Sequence, residues 1–296
     1  MDTARLLDWI VTRFETHVLS AAGVHNVLLP LTVLALTFCL EVASRRNWRV
    51  RYGSHNFRVD VLYYIFYYGG IYHLLFYAWI YSALTRLFTE YAPWLQLHVV
   101  DGLPRSLQVV ALIFAFDFFH YWNHRLRHAS PLLWAFHSIH HSQTTLTMMT
   151  TFRLHIVDET VFRILMFVPF YVLGFSPLLA VWLWVDLIIV WITGVQHSEW
   201  NWSYGPVGRF FISPRFHRMH HSTDEKMQNR NFGGVFSFWD DLFGTAERKA
   251  PPPTEHGLSG NPIPETLAGQ FVYPFVKLGR ALRRPARPVD ATDVRT

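Results

Sequence analysis

The feature that most restricts how this chain can fold is a set of histidine clusters far apart in sequence. His120 and His124 stand in DFFHYWNHRLRH, His137, His140 and His141 in HSIHH, and His217, His220 and His221 in HRMHH. An i, i+4 pair puts two imidazoles on one face of a helix, one turn apart, and an HxxHH triplet does the same for three. A single HxxxH pair is a weak signal. Two HxxHH triplets and one HxxxH in one chain are too many for a chance scatter of surface or core histidines. A fold that honours the pattern must bring several helical faces around one polar centre.

The stretches around these clusters are apolar. Hydrophobic residues make up 51% and charged residues 16% of the 296 positions, whereas soluble domains carry roughly 25% charged residues. That balance fits a protein whose solvent is partly lipid. Residues 24–43, 61–84, 107–122 and 161–196 read as spanning candidates, since a helix needs about 20 apolar residues to cross a hydrocarbon layer. The last reads as a helical hairpin with Gly174, Ser176 and Pro177 near its middle, and 61–84 as a crossing or a re-entrant segment. The expected fold is all-α, a multi-pass transmembrane helical bundle of about four to five spans, with a helical cap on the cytosolic face that carries the histidines.

Arginines set the orientation. Arg45, Arg46, Arg49, Arg51 and Arg58 follow the first span and place that loop in the cytoplasm. Alternation of the later spans then delivers all three clusters, and His197 at the inner end of 161–196, to that same face, with the N-terminus outside. Three regions follow: membrane-anchoring helices over 1–105, beginning with a short amphipathic helix at 1–20; a catalytic domain over 106–248; and a tail over 249–296. The tail opens on Pro251, Pro252 and Pro253 and holds an interfacial helix candidate at 264–283.

Several chemistries are excluded. Cys39 is the single cysteine, so the iron–sulfur and zinc-ribbon readings fail, and there is no CxxCH haem site. The net charge of +5 lies largely beside apolar segments and reads as anchoring to anionic lipid, not as a nucleic-acid footprint. Asp2 and Asp8 interrupt the N-terminal stretch, which does not read as a secretory signal.

Metal chemistry must therefore use nitrogen and oxygen ligands. A zinc ion takes about four ligands, so nine imidazoles converging on one membrane face suggest two metals. Imidazole suits zinc, copper, iron and nickel alike. A centre beneath an apolar bundle favours iron, because O2-dependent attack on C–H bonds benefits from a site that excludes water. His128 and His155 are further candidates, as ligands or as groups that orient them. Asp117, one turn before His120, is a candidate to orient an imidazole or to pair with an arginine. Glu199, Asp224 and Glu225 are similar cases. His73 reads as a packing histidine inside an apolar span, and His17, His25, His55, His98 and His256 as surface or interfacial residues.

At these residues the sequence resembles the fatty acid hydroxylase and sterol desaturase superfamily. The likeness runs from about Asp117 to Thr245: DFFHYWNHRLRH, LWAFHSIHHS and SPRFHRMHHS look like its three boxes, and NFGGVFSFWDDLFGT like its closing segment. FRLH at 152–155 and QHS at 196–198 match intermediate landmarks. Ile156 stands where proline often follows the histidine, and Glu199 where a smaller polar residue is common; neither touches the HxxHH boxes. The resemblance implies a membrane-bound di-iron oxygenase that hydroxylates or desaturates a lipid, or cleaves an ether lipid. It implies His120, His124, His137, His140, His141, His197, His217, His220 and His221 as ligands of two iron ions, with O2 as co-substrate. Electrons would come from a separate donor, a ferredoxin or a b5-type cytochrome with its reductase. The substrate stays open among sterol, hopanoid, carotenoid, acyl and glycerol ether lipids.

Three other readings compete. A histidine-rich metal transporter would place ionisable groups near the bilayer midplane, and the spans here are largely free of them. A membrane-embedded zinc hydrolase would need an HExxH-like element, and none occurs. An inactive, lipid-binding relative would not need intact boxes.

Overall fold

The centre of the molecule is built on two helices joined by one residue. Helix α5 (Arg105–Ala129) and helix α6 (Pro131–His141) meet at Ser130, whose N–H donates to Leu126 O at 2.9 Å, closing α5. The Ser130 hydroxyl accepts from Leu133 N at 3.4 Å, and Pro131 occupies the first helical position, where a missing N–H costs nothing. The computed structural model describes residues 31–32, 35–36, 38–43, 47–69, 71–175, 189, 191–260 and 262–283. The amphipathic helix expected at 1–20, much of the 24–43 span and the middle of the 161–196 hairpin lie outside the described residues, as does the side chain of His73.

Before α5 come α1 (Trp48–Tyr52) and α2 (His55–Tyr68), then α3 (Ile71–Leu75), which runs through a π-helical segment (Phe76–Tyr81) into α4 (Ser82–Tyr91). The stretch read as one span over 61–84 is thus interrupted, because α2 closes at Gly69, whose N–H bonds Ile65 O at 2.8 Å. After α6 a 3₁₀ turn (Met148–Phe152) leads to α7 (Ile156–Leu173), α8 (Pro214–His220), α9 (Glu225–Gln228), α10 (Phe238–Leu242) and α11 (Leu267–Arg283). Helix α7 ends on Gly174 at φ 83°, with Phe175 N donating to Phe170 O at 3.0 Å. That left-handed closure suits a residue without Cβ. Among the described residues the regular structure is helical, with two isolated bridges, Phe211 to Phe236 and Ser222 to His256, tying loops together. No helix of the described residues is long and apolar enough to cross a membrane.

Two apolar clusters flank the histidines. One packs Tyr63, Tyr67 and Tyr72 against Ile139, Met148 and Phe152; the other packs Leu112 and Phe116 of α5 against Met166 and Phe170 of α7. Between α2 and the 3₁₀ turn lies a buried ion pair. Arg153, 1% exposed, donates from Nε to Asp60 at 2.5 Å and from Nη2 to Asn56 O at 2.9 Å. Gln143 Nε2 also donates to Asp60, at 2.6 Å. A buried charge persists only when it is paired and hydrogen-bonded, so this network fixes the register of α2 on the loop after α6. Helix α11 falls within the expected 264–283 segment and packs on α6 and α2.

Candidate metal centre

Helix periodicity supplies most of the donors. On α5, His124 and His128 are one turn apart; on α6, His137, His140 and His141 share a face; α8 offers His217 and His220, and His221 caps it. The α8 register is set by Ser213, whose hydroxyl accepts from Phe216 N at 3.3 Å, with Pro214 at its start. Tertiary packing gathers these imidazoles into two groups. His124, His128, His137, His141 and His220 form one; His140, His197, His217 and His221 form the other, and the nitrogens within each lie within 4.8 Å of one another. The groups adjoin through His141 and His221, whose rings stack at 4.5 Å.

The tautomers explain why these nitrogens face one another. Nδ1 of His124 bonds Phe232 O at 2.9 Å, that of His220 bonds Arg230 O at 2.7 Å, and that of His197 bonds Thr193 O at 2.7 Å. Nδ1 of His140 bonds Arg153 O at 3.3 Å, and that of His137 bonds the Asp158 carboxylate at 2.9 Å. A carbonyl or carboxylate only accepts, so each Nδ1 carries the proton and each Nε2 presents a bare lone pair. Yet Nε2 of His220 lies 3.0 Å from that of His124, and Nε2 of His197 lies 3.2 Å from that of His140. Two lone pairs at such distances repel unless a cation sits between them. Metal–nitrogen bonds of about 2.0–2.1 Å at angles between 90° and 109° place ligand nitrogens about 2.9–3.4 Å apart. The pairs His217–His197 at 3.0 Å and His221–His217 at 3.2 Å fall in that range too. Buried nitrogens without a protein partner, Nε2 of His128, Nε2 of His137 and both of His141, complete the donor set. The residues fit a pair of metal ions.

Electrostatics act in the same direction. Burial first, and then the neighbouring imidazoles, hold His124, His128, His140, His141, His217 and His221 well below the usual imidazole value. Burial brings His197 to about 4 and His220 to about 3. Neutral imidazoles are what a metal requires. Burial pushes the Asp158 carboxyl up, but Arg127, at 3.2 Å, and His137 outweigh it and hold the group below its ordinary value.

The candidates from sequence divide as follows. Eight of the nine expected ligands lie in the two groups; His120 lies in neither, and His128 joins His124 instead. His155 spends both nitrogens elsewhere: Nδ1 accepts from Val157 N at 3.1 Å, capping α7, and Nε2 bonds Phe271 O at 3.0 Å. Asp117 holds a loop and not an imidazole, accepting from Val235 N at 2.6 Å and Phe236 N at 2.7 Å. Glu199 pairs with Arg51, and Asp224 caps α9 by accepting from Lys226 N at 2.9 Å. His256 is half-buried and accepts from Arg218 at 3.4 Å, while His98 pairs with Asp101 on the surface. His17 and His25 lie outside the described residues. Glu225 lines a cavity of about 330 Å³ that reaches His128 past Trp134, Tyr273 and Lys277.

Sequence reasoning missed Asp158, Arg127 and the carbonyls of Arg153, Thr193, Arg230 and Phe232. The carbonyls leave no trace in residue identity. Asp158 had one signal, as an acid three residues after FRLH that forms a pair with Glu159.

The family model for fatty acid hydroxylases matches residues 109–245, which contain both histidine groups. The chain is 36% identical over 182 residues to ornithine lipid hydroxylase OlsE of Rhizobium tropici, covering 61% of this chain and 54% of that protein. It is 32% identical over 137 residues to alkylglycerol monooxygenase of Homo sapiens, covering 44% of this chain and 28% of that one. Methylsterol monooxygenase 1 of Danio rerio is 26% identical over 151 residues, 49% of this chain and 50% of that protein. The chain thus spans about half, or less, of the length of these relatives. No solved structure matches it. With its boxes folded into two adjoining groups of imidazoles, the chain matches the fatty acid hydroxylase family over residues 109–245.

Proposed function

We propose that the protein is a membrane-bound oxygenase that uses O2 to hydroxylate or desaturate a lipid at a di-iron centre. The observation that carries this reading is the pairing of lone-pair Nε2 atoms 3.0 and 3.2 Å apart, one pair in each of two adjoining groups. Relatives named as hydroxylases and monooxygenases of ornithine lipid, alkylglycerol and methylsterol support a lipid substrate. His124, His128, His137, His141 and His220 would hold one ion, and His140, His197, His217 and His221 the other. Two iron ions would supply redox chemistry toward O2.

The protein's own share is orientation, protonation state and exclusion of water. Backbone carbonyls on Nδ1 lock four rings and Asp158 a fifth, so the donors are arranged before any ion arrives. Burial keeps the imidazoles neutral. The apolar wall from Leu112 and Phe116 to Phe170 keeps bulk water from the α5 side. For hydroxylation the balance is one C–H bond, O2, two electrons and two protons in, and one C–OH and one water out. The electrons require a donor protein, a ferredoxin or a b5-type cytochrome with its reductase. A cytosolic placement of the centre in a multi-pass chain follows from the arginine distribution.

The test is isotopic. Cells expressing the chain under ¹⁸O₂ are expected to yield a membrane lipid heavier by one ¹⁸O atom, or lighter by two hydrogens, and the His221→Ala variant to yield neither. A lipid profile identical between wild type and His221→Ala overturns the reading.

A further inference from the structure

His120 is the one box histidine that the fold leaves out of both groups. Its ring is held in a made-to-measure slot. Phe116 lies along one side with ring centroids 6.0 Å apart, Phe162 on another at 5.6 Å, and Gly234 closes the third. A Cβ on Gly234 would stand 2.8 Å from His120 Nδ1, so only glycine lets the loop approach this closely. The loop itself is clamped, by Asp117 on the amides of Val235 and Phe236 and by Gln196 Nε2 on Gly234 O at 2.7 Å.

Within that slot the imidazole has no protein anchor. Nδ1 is buried without a hydrogen-bond partner, as are those of His141, His217 and His221, whereas five other rings of the two groups have Nδ1 tied to a carbonyl or carboxylate. The residue as a whole is half-buried. A polar group in an apolar wall costs free energy unless something pairs with it. Its position says what that something is. His120 stands one turn before His124, about 6 Å nearer the apolar half of α5, which packs against Phe170 and Met166. It is still close enough to the second group to be among the charges that depress His217. The imidazole therefore sits between the histidine groups and the apolar compartment.

We propose that His120 positions the substrate, by a hydrogen bond to a hydroxyl, ester or amide of the lipid close to the carbon that is oxidised, and does not bind metal. This rests on the oxygenase reading above. It narrows the substrate to lipids with a hydrogen-bonding group near the reacting carbon.

The test uses the full chain, purified from membranes, as wild type, His120→Phe, His120→Gln and His128→Ala. Transition metal per chain is counted by mass spectrometry, and the site of added oxygen is mapped by tandem mass spectrometry of host membrane lipids. Both His120 variants are expected to keep the wild-type metal content, while His128→Ala loses about half of it. His120→Phe is expected to lower product at least ~10-fold or to spread the oxygen over neighbouring carbons, and His120→Gln, which keeps a hydrogen-bonding group, to restore the single position. Metal loss in His120→Phe matching that of His128→Ala would make His120 a ligand and overturn the proposal. Unchanged yield and position in His120→Phe would overturn it as well. Wild type with full metal and no oxidised lipid would overturn the oxygenase reading, and the substrate role with it, while leaving the metal count of the variants to decide ligation separately.

Discussion

Replacing Asp158 by asparagine removes one charge from the best-defined support of the first histidine group. Both Arg127 Nη1, at 3.2 Å, and His137 Nδ1, at 2.9 Å, donate to the same oxygen, Oδ2. The amide oxygen of Asn is still able to accept from both, so the geometry survives and the charge does not. Arg127 and Asp158 are buried, with side chains 6% and 2% exposed, so solvent does not screen the loss. Removing one partner of a buried ion pair costs about 3–5 kcal/mol, and retention of the acceptor puts Asp158→Asn at about the lower end of that range. Losing the carboxylate behind a ligating imidazole typically costs about 10–100-fold in metal affinity, or roughly 1.4–2.7 kcal/mol. His140 and His197 are anchored instead on Arg153 O and Thr193 O. The loss is therefore expected at the group holding His137 and not at the other. Dialysis of the purified variant against graded chelator, with metal counted per chain, is expected to show two steps, the earlier displaced about 10–100-fold from wild type. A wild-type curve, or loss of both ions in one displaced step, would refute the reasoning.

Three further outcomes follow from the packing. Gly234→Ala puts a Cβ 2.8 Å from His120 Nδ1 and 2.9 Å from Asp117 Oδ1; such overpacking costs about 1–3 kcal/mol, and thermal unfolding should show it, whereas an unchanged midpoint would mean the loop has room to move. Asp60→Ala strands the buried Arg153 and is expected to destabilise by about 3–5 kcal/mol, which a denaturant titration in detergent would read as a clear fall in midpoint. The chelated protein should be acid-sensitive. His197 at about 4 and His220 at about 3 have folded values below the unfolded 6.5, so the unfolded chain binds more protons as pH falls. Stability is then full above pH 6.5 and lost between 6.5 and about 4, by roughly 1 kcal/mol per pH unit for each such imidazole. A flat melting profile across that window would contradict the burial of these rings.

The histidine centre was largely legible in the sequence because helices convert spacing into geometry. HSIHH and HRMHH each put three rings on one side of a turn, and nothing in tertiary packing had to be known for that. The structure gathers His128 with His124 and leaves His120 outside both groups. His120–His124 and His124–His128 have the same i, i+4 spacing, and only the packing of α5 against α6 and the Gly234 loop separates the gathered ring from the one left outside. His155 and Asp117 looked like ligand chemistry because the residue types suit it. The structure uses them as a helix cap and a loop clamp; the cap is local to Val157, but the contacts with Phe271, Val235 and Phe236 reach more than a hundred residues away. Asp158 stood out only as an acid after FRLH, because its partners Arg127 and His137 stand on other helices. The all-helical architecture followed from the long apolar runs, yet the interruption of 61–84 at Gly69 was not read, although the Gly69–Gly70 pair is a turn signal.

The central claim is that neutral imidazoles from α5, α6, the segment ending at His197, and α8 grip two ions. Its most direct test is the transition-metal content of the purified full chain, taken together with X-ray absorption at the metal edge. The account predicts two ions per chain in a shell dominated by nitrogen at about 2.0–2.1 Å. A metal-free chain that is folded and active, or one whose metal has no histidine neighbours, would contradict it.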